Sequence, residues 1–258
     1  MIEIPRLPSL ARLLRPRPWP RYVNDITVAN PLGITHGFTH IGTTFTTVDN
    51  SLSAVFNQAL GINNANETVG YYAPTPAGNT NQIAYSQTGG VFSDINHLLP
   101  SNVNSQAVGI NHSAVIVGFY QPTATTSLGF LDSGGVISAI DPFGSTFTQA
   151  LGTNDAGEIV GFFTDAGGVQ HGYIDNNGAF TPFDPTGSVN TTINGVNDLG
   201  QIAGFLTDAN DKVIGFVGTP VPEPAAPMVV ALAGLIGIRL RRRNSDRHPA
   251  GPSCRSAP

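Results

Sequence analysis

An internal repeat of about 43 residues constrains the fold of this chain more than any other feature. Four segments align without gaps: ALGINNANETVGYY from Ala59, AVGINHSAVIVGFY from Ala107, ALGTNDAGEIVGFF from Ala150 and INGVNDLGQIAGFL from Ile193. Each has a first glycine, an asparagine two residues later, and a second glycine before an aromatic residue. In chain order these are Gly61, Asn63 and Gly70; Gly109, Asn111 and Gly118; Gly152, Asn154 and Gly161; and Gly195, Asn197 and Gly204. The first glycines lie 48, 43 and 43 residues apart, a period typical of propellers and solenoids.

Each aligned segment predicts a β-hairpin. The centre, clearest at residues 154–157 and 197–200, is a turn in which Asn and Asp side chains bond nearby backbone and Gly takes a positive φ. The strand that follows, EIVGFF in the third copy, is apolar on both faces. We therefore expect a strand that is covered on both sides.

Two further strands complete the predicted unit. One is a segment of alternating residue character that ends near an acidic residue or the residue that replaces it. It occurs at residues 45–50, 92–97, 137–142 and 180–185. The other is a short apolar element that occurs five times, at residues 36–38, 83–85, 128–130, 171–173 and 214–216. Four short strands in about 43 residues is the content of a propeller blade.

The fold class predicted from these units is all-β. A sheet with two apolar faces must stack on neighbours, and a closed circle leaves no terminal face exposed. We expect a β-propeller of four to five four-stranded blades over residues 22–219, in which Ile214–Phe216 completes the blade begun near His36. An open β-solenoid and a β-sandwich are the alternatives.

The distribution of charge separates this body from the two ends of the chain. Between Tyr22 and Ile238 the sequence has one basic residue, Lys212, against fifteen acidic residues. Such a surface repels phosphate backbones, so nucleic acid is excluded as a partner of the body. Residues 1–21 are rich in Arg and Pro, contain no signal-peptide pattern, and are expected to be a disordered leader.

The C-terminal segment, residues 220–243, predicts contact with a membrane. Pro222-Glu223-Pro224 precede fourteen uncharged residues, Ala225–Ile238. As a helix these residues would extend about 21 Å, against a hydrocarbon core of roughly 30 Å. The basic residues after them, which would stay on the cytoplasmic side, are Arg239, Arg241, Arg242 and Arg243. Residues 244–258 are expected to form a disordered tail.

The order of Pro-Glu-Pro, apolar helix and arginine cluster resembles the PEP-CTERM sorting signal of Gram-negative bacteria that make exopolysaccharide. That resemblance implies an exosortase-type membrane protease as a partner, with processing near Pro222–Pro224. It also implies anchoring in the inner membrane before processing, and a place at the cell surface or outside the cell afterwards.

The repeat itself also resembles a known family. The pattern GxNDxGxIxGF, followed by HGY or LGF, is similar to the HAF-type extracellular repeat of bacterial surface proteins over about residues 34–218. The resemblance implies an exported repeat protein and supplies no catalytic residues.

A search for catalytic motifs finds no nucleophile elbow, phosphate loop, HExxH or paired cysteines. Most acids recur at equivalent positions, as in the set Asp49, Asp141 and Asp184 and the pair Asp155 and Asp198. A repeated carboxylate indicates a turn or a strand end, so we expect no enzyme. The polysaccharide hydrolase or lyase alternative needs two carboxylates, or a His with a carboxylate, converging at one end of the central channel.

The histidines and two acidic loops are the remaining candidates for chemistry. His97, His112, His36 and His40 break the repeat symmetry, whereas His36 and His171 share one repeat position, which favours a structural role. The loops at residues 165–168 and 208–211 are oxygen-rich, but neither matches a calcium-binding loop. We expect no cofactor, and calcium is the ion that these loops would suit best.

These features together predict an exported, non-catalytic surface or matrix protein that binds polysaccharide or protein. A hydrolase or lyase remains the alternative, and its simplest test is whether His97, Asp94 and His112 meet in one pocket. A protein retained in the membrane by an uncut C-terminal helix is the third possibility.

Overall fold

The structure is a computed structural model that describes residues 34–51, 55–75, 77–101, 103–142, 145 and 147–221. Up to Thr219 these residues belong to one compact unit. The predictions for the leader, the sorting signal with its arginines, the C-terminal helix and the tail lie outside the described residues. In the described part of the chain, no helix is long and apolar enough to span a membrane.

The described residues are all-β, which confirms the predicted class. They form seventeen strands and one single-turn 3₁₀ helix, Asn96–Leu98. The strands are β1 (Gly37–Ile41), β2 (Thr44–Val48), β3 (Phe56–Ile62), β4 (Thr68–Ala73), β5 (Ile83–Thr88), β6 (Val91–Asp94), β7 (Asn104–Ile110), β8 (Val115–Thr123), β9 (Thr126–Ser133), β10 (Val136–Ile140), β11 (Phe147–Thr153), β12 (Glu158–Thr164), β13 (Gln170–Asn176), β14 (Ala179–Phe183), β15 (Ser188–Val196), β16 (Ile202–Asp208) and β17 (Val213–Gly218).

The strands group into the predicted units, with each strand antiparallel to the next. Repeat 1 is β3–β6, repeat 2 is β7–β10, repeat 3 is β11–β14, and repeat 4 is the three-stranded β15–β17. An N-terminal hairpin, β1–β2, precedes them. It holds the positions of the third and fourth strands of a repeat.

All four repeats share one irregularity, which shows that they are copies in conformation as well as in sequence. In repeat 1 the register of β3 and β4 shifts between Ala59 and Gly61, and the equivalent shift occurs in the other three repeats. Opposite the shift lies the second glycine. A Cβ atom at Gly70 would overlap the Gln58 carbonyl oxygen, and the other three repeats are equally crowded.

Apolar layers between successive sheets form the core. Val69 of repeat 1 packs with Ala107 and Phe130 of repeat 2. The next layer joins repeats 2 and 3, a third joins repeats 3 and 4, and a fourth joins the N-terminal hairpin to repeat 1. The second strand of each repeat is therefore covered on both faces, as predicted, except in repeat 4.

The first glycines stack in chain order along the inner strands. A Cβ atom at Gly61 would lie 3.5 Å from the Gly109 Cα, one at Gly109 3.2 Å from the Gly152 Cα, and one at Gly152 2.9 Å from the Gly195 Cα. Glycine at this position thus permits adjacent repeats to approach at their backbones.

The expected junction between the chain's two ends is wrong for the described residues. There, β17 pairs with β16 and β1 pairs with β2, and no pairing joins β17 to β1. Instead Thr35, just before β1, forms a parallel bridge with Phe56 of repeat 1. The hairpin is therefore aligned with repeat 1, its neighbour in sequence.

Candidate functional site

The repeated asparagines form hydrogen bonds both within a repeat and between repeats. The Asn154 side-chain oxygen accepts the backbone N–H of Glu158 at 2.9 Å, which closes the turn. Its Nδ2 donates to the Glu158 carboxylate and, at 3.0 Å, to the carbonyl of Asn197 in the next repeat. Asn111 donates in the same way to the carbonyl of Asn154. The turn role was predicted; the link between repeats was not.

The turn aspartates add a second link at each of these junctions. The backbone N–H of His112 donates to Asp155 Oδ1 at 2.8 Å, and that of Asp155 donates to Asp198 Oδ1 at 3.0 Å. We call these paired Asn and Asp contacts the turn ladder. In the described residues no equivalent link joins positions 64 and 112, because a histidine stands where the acceptor carboxylate would be.

The turns of all four repeats line one cleft of about 230 Å³. Ile62 from repeat 1 and Val196 from repeat 4 both border it, so the repeats curve around a common axis. The cleft brings His112, Asp155 and Asp198 together. The ladder engages both carboxylates, and the described residues contain no group of three His, Cys, Asp or Glu side chains able to hold a metal.

The three residues named as the test of the enzyme alternative, His97, Asp94 and His112, do not meet in one pocket. His112 borders the cleft, but Asp94 and His97 do not line it. His97 lies exposed on the 3₁₀ helix. The Asp94 carboxylate accepts the Tyr72 hydroxyl at 3.1 Å, and burial raises the pKa of Tyr72 to about 12.

Two histidines at one repeat position each contact an aspartate in the same way, which is consistent with a structural role. His36 Nδ1 lies 2.8 Å from Asp49 Oδ2, and His171 Nδ1 lies 2.7 Å from Asp184 Oδ2. The Asp184 hydrogen bond raises the pKa of His171 above its ordinary value of 6.5. His40 instead stacks on Phe45, with ring centroids 4.2 Å apart.

The two oxygen-rich loops are hairpin turns. Asp208 Oδ1 accepts the backbone N–H groups of Asn210 and Lys212, and Asp165 Oδ1 accepts that of Val169. These bonds lower the pKa of both carboxyls. The two carboxylates therefore close the turns of these loops.

A groove of about 640 Å³ lies between repeats 3 and 4. No charged side chain lines it. Its lining residues are Gln149, Leu151, Phe162, Thr164, Gly168, Gln170, Asn190, Thr192, Asn194, Phe205 and Thr207. Amides, hydroxyls and two phenylalanine rings therefore define its chemistry.

Contacts between the two repeats hold the polar wall of this groove. Gln170 Nε2 donates to Thr192 Oγ1 at 2.6 Å, and the Gln170 backbone N–H donates to Asn190 Oδ1 at 3.1 Å. Gln149 and Asn194 differ, because their side-chain amides make no hydrogen bond within the described part of the chain. These two amides remain available to a ligand.

The aromatic wall combines a supported ring and an exposed ring. Phe162 stacks on Phe147, with centroids 6.0 Å apart and planes inclined at 26°. Phe205, the equivalent residue of repeat 4, is 39% exposed, whereas Tyr71 and Phe119 at the same position are 7% exposed. At this repeat position, repeat 4 therefore leaves its aromatic ring more open than repeats 1 and 2 do.

Sequence reasoning missed this groove and also one buried polar position. Asn57, Ser105, Thr148 and Thr191 all lie four residues before the first glycine and are almost fully buried. Ser105 Oγ, for example, accepts the backbone N–H of Ala84 in the preceding repeat at 2.9 Å. A small polar residue at a fixed offset in every repeat was the signal available in the sequence.

Comparison with known proteins finds no matching family model and no matching curated protein. Similar solved structures include an arginine-to-alanine triple mutant of AofleA from Arthrobotrys oligospora, at 15% identity and a TM-score of 0.42. That match covers 73% of this chain and spans 63% of the AofleA chain. Another is the lectin of Aleuria aurantia, described as a six-bladed β-propeller, at 13% identity and a TM-score of 0.41, covering 76% and 74% of the two chains.

A third similar structure is the SapL1 lectin in complex with alpha methyl fucoside. It is 13% identical, with a TM-score of 0.39 and coverage of 74% and 75%. Identities and TM-scores at this level establish neither a shared family nor a shared ligand.

Proposed function

We propose that this protein is a non-catalytic, exported binding module that holds neutral carbohydrate in the groove between repeats 3 and 4. The chemistry of the groove lining carries the proposal. Eleven residues line it without one charged side chain, and two phenylalanines face amides and hydroxyls. A sugar offers hydroxyl groups to amide donors and acceptors, and its C–H faces to aromatic rings.

The size of the groove is consistent with this role. About 640 Å³ lies within the range of roughly 300–1,000 Å³ usual for small-molecule sites. Gln149 and Asn194 would supply hydrogen bonds, because neither amide has a partner in the described residues. Phe162, oriented by Phe147, would supply the stacking surface.

Titration calorimetry with a panel of methyl glycosides, alpha methyl fucoside included, tests the proposal. Gln149→Ala and Asn194→Ala should each weaken binding about tenfold, or about 1.4 kcal/mol, without lowering the melting temperature. Phe45→Ala, at an exposed phenylalanine of the N-terminal hairpin, is the matched control and should bind as the parent does. Equal affinity of all variants, or no binding to any glycoside, would contradict the proposal.

The structural hydrogen bonds that the carboxylates accept support the non-catalytic part of the proposal. Asp132 and Asp175 accept turn N–H groups from Gly135 and Gly178, and Asp155 and Asp198 serve the turn ladder. A glycosidase needs two carboxylates across one substrate, and the groove lining has none. New reducing ends released from a polysaccharide by the purified protein would overturn this part.

Export and sorting are the second part of the proposal. They are supported by the order of Pro222-Glu223-Pro224, the apolar run 225–238 and the arginine cluster. Exosortase-type processing would release the repeats, proposed here as a propeller of four to five blades, to the cell surface. Intact-mass measurement of the secreted protein should give a chain that ends near Pro222. A full-length chain found solely in the cytoplasm would contradict export.

A further inference from the structure

His171 places both nitrogens of its ring against carboxylates. Its Nδ1 lies 2.7 Å from Asp184 Oδ2, and its Nε2 lies 3.4 Å from Asp165 Oδ2. The equivalent histidine of the N-terminal hairpin, His36, contacts one carboxylate, that of Asp49, within the described residues. A neutral imidazole has one N–H group, whereas the imidazolium donates from both nitrogens. Both contacts of His171 are therefore hydrogen bonds only when the ring is protonated.

Among the described residues, the strands packed on β13 bring no other titratable side chain to this ring. β14 and β15 contain none, and Glu158 of β12 lies at the opposite end of the β12–β13 pairing. Phe163 of β12 stacks on the imidazole, with ring centroids 5.2 Å apart. The hydrogen bond to Asp184 contributes most to raising the pKa of His171, burial opposes it, and the hydrogen bond to Asp165 adds to it.

Asp165 connects this histidine to the groove between repeats 3 and 4. It begins the loop of residues 165–169, which joins β12 to β13. Its Oδ1 accepts the backbone N–H of Val169, and its carbonyl accepts that of Gly168. Gly168 lines the groove. One carboxylate thus closes the loop through Oδ1 and contacts His171 through Oδ2.

Loss of the proton from the ring removes one of its two contacts. The remaining N–H should stay on the side of Asp184, because that hydrogen bond is the shorter one. The Nε2 lone pair would then face the Asp165 carboxylate, and two acceptors cannot form a hydrogen bond. The loop would keep its turn hydrogen bonds but lose its attachment to His171.

Repeat 4 contains a similar loop without a histidine. Asp208 Oδ1 accepts the backbone N–H of Lys212 at 3.0 Å, a bond equivalent to the one that Val169 donates at 2.8 Å in repeat 3. Ile214 stands at the repeat position of His171. The molecule thus supplies its own control, a loop closed in the same way beside a side chain that does not titrate.

We propose that the proton on His171 holds the loop of residues 165–169 in place and so makes one wall of the groove sensitive to pH. The loop is held while the ring is charged and is released when the ring loses its proton. Because the pKa of His171 is raised above 6.5, the release occurs above pH 6.5. The consequence for binding rests on the carbohydrate function proposed above. A glycoside should bind more tightly to the held wall, since less of the loop is ordered on binding.

Amide hydrogen exchange measured by NMR tests this inference without a ligand. The protection factor, which corrects for the intrinsic pH dependence of exchange, should fall at least about threefold for the Val169 amide between pH 5.5 and pH 8.5. The Lys212 amide should show no such fall. His171→Gln should abolish the fall at Val169, whereas His97→Gln, at an exposed histidine, should leave it unchanged. A constant protection factor at Val169, or the same fall in His171→Gln, would overturn the inference.

Calorimetric titration with the same methyl glycosides extends the test to binding. The affinity of the parent should fall about threefold between pH 5.5 and pH 8.5, and that of His171→Gln should stay constant. Binding by the parent with equal affinity at both pH values would overturn the inference and leave the carbohydrate proposal standing. If no glycoside binds at either pH, the carbohydrate proposal fails, and the exchange of the Val169 amide still decides the inference.

Discussion

The junction between repeats 1 and 2 and the junction between repeats 3 and 4 join equivalent sheets with different hydrogen bonds. At the later junction, the turn ladder connects Asn154 to Asn197 and Asp155 to Asp198. At the junction between repeats 1 and 2, the side-chain hydrogen bonds among the described residues lie at the opposite end of the strands. Gln106 Nε2 donates to Gln82 Oε1 at 2.8 Å, and Ser105 accepts the N–H of Ala84.

The sequence difference behind this is small. His112 replaces the aspartate, and the repeat is five residues longer, with the 3₁₀ helix Asn96–Leu98 between β6 and β7. Ser105 Oγ donates to Asn96 Oδ1 at 2.9 Å, so that helix supplies part of the alternative network. The contacts of the first glycines are common to both junctions, whereas the hydrogen bonds between repeats differ from one junction to the other.

The largest effect should come from a contact that repeats 1 and 3 both make within their own sheets, between the second glycine and the strand opposite it. Gly161→Ala would place a Cβ atom against the Gln149 carbonyl and 3.1 Å from the Tyr173 ring. We expect a loss of about 3 kcal/mol in the free energy of unfolding, measured by urea denaturation, and a similar loss for Gly70→Ala. Gly215→Ala is the control, because its Cβ atom would meet nothing closer than 3.9 Å. If either substitution costs less stability than Gly215→Ala, the second glycine is not a shared requirement of the repeats.

The next effect separates the two junctions. Asn154→Ala removes a turn acceptor and the bond to the Asn197 carbonyl, so we expect it to cost about 2–3 kcal/mol. Asn63→Ala removes the turn hydrogen bonds to Ala65 and Glu67, but among the described residues it removes no hydrogen bond to repeat 2. It should therefore cost about 1 kcal/mol. The same denaturation measurement checks both, and equal costs would show that the ladder adds no stability.

A smaller effect should come from installing the missing link. His112→Asp would provide an acceptor for the backbone N–H of residue 64, as Asp155 does for His112. We expect a gain of about 0.5–1 kcal/mol in the same measurement. Ser113→Asp adds the same charge at the next exposed position and should give no gain. If both variants behave alike, charge and not the ladder governs the junction.

The smallest effect concerns the far end of repeat 3, where His171 stands at the position of Ile83 in repeat 1. Because hydrogen bonding to Asp184 raises the pKa of His171 above 6.5, its stabilisation is full below pH 6.5. It is lost as pH rises through the folded-state value. His171→Gln should therefore lower the melting temperature more at pH 5.5 than at pH 8.5, by an amount worth less than about 1 kcal/mol.

The control for that pH dependence is His97→Gln. His97 is exposed and is 3₁₀-helical, with no recorded carboxylate partner in the described residues. Its melting temperature should follow the parent at both pH values. A pH-independent effect of His171→Gln would assign the histidine a packing role, through its ring contact with Phe163 at 5.2 Å.

The sequence predicted the repeat, the hairpin turns and the glycines that permit close approach, because each of these is local or recurs at a fixed spacing. Gly157 and Gly200 have the positive φ values, 84° and 70°, that the turn required. The hydrogen bond from Asn154 to Asn197 could not be predicted from the sequence, because the pattern that places a side chain in a turn does not indicate a second partner 43 residues away.

The groove was equally inaccessible to sequence reasoning. Phe162 and Phe205 of its lining hold one repeat position, and Phe205 and Asn194 are exposed in repeat 4, which no described repeat follows. Phe205 and Phe119 hold the same repeat position, yet one is open and the other is covered. Exposure at the end of an array depends on what stacks next, which local pattern does not encode.

The turn ladder should join repeats wherever the next repeat supplies an aspartate, and this claim can be tested by residue-resolved hydrogen exchange of three equivalent backbone amides. The amides of His112 and Asp155 should then exchange at least about tenfold more slowly than that of Asn64. Three equal exchange rates would contradict the claim.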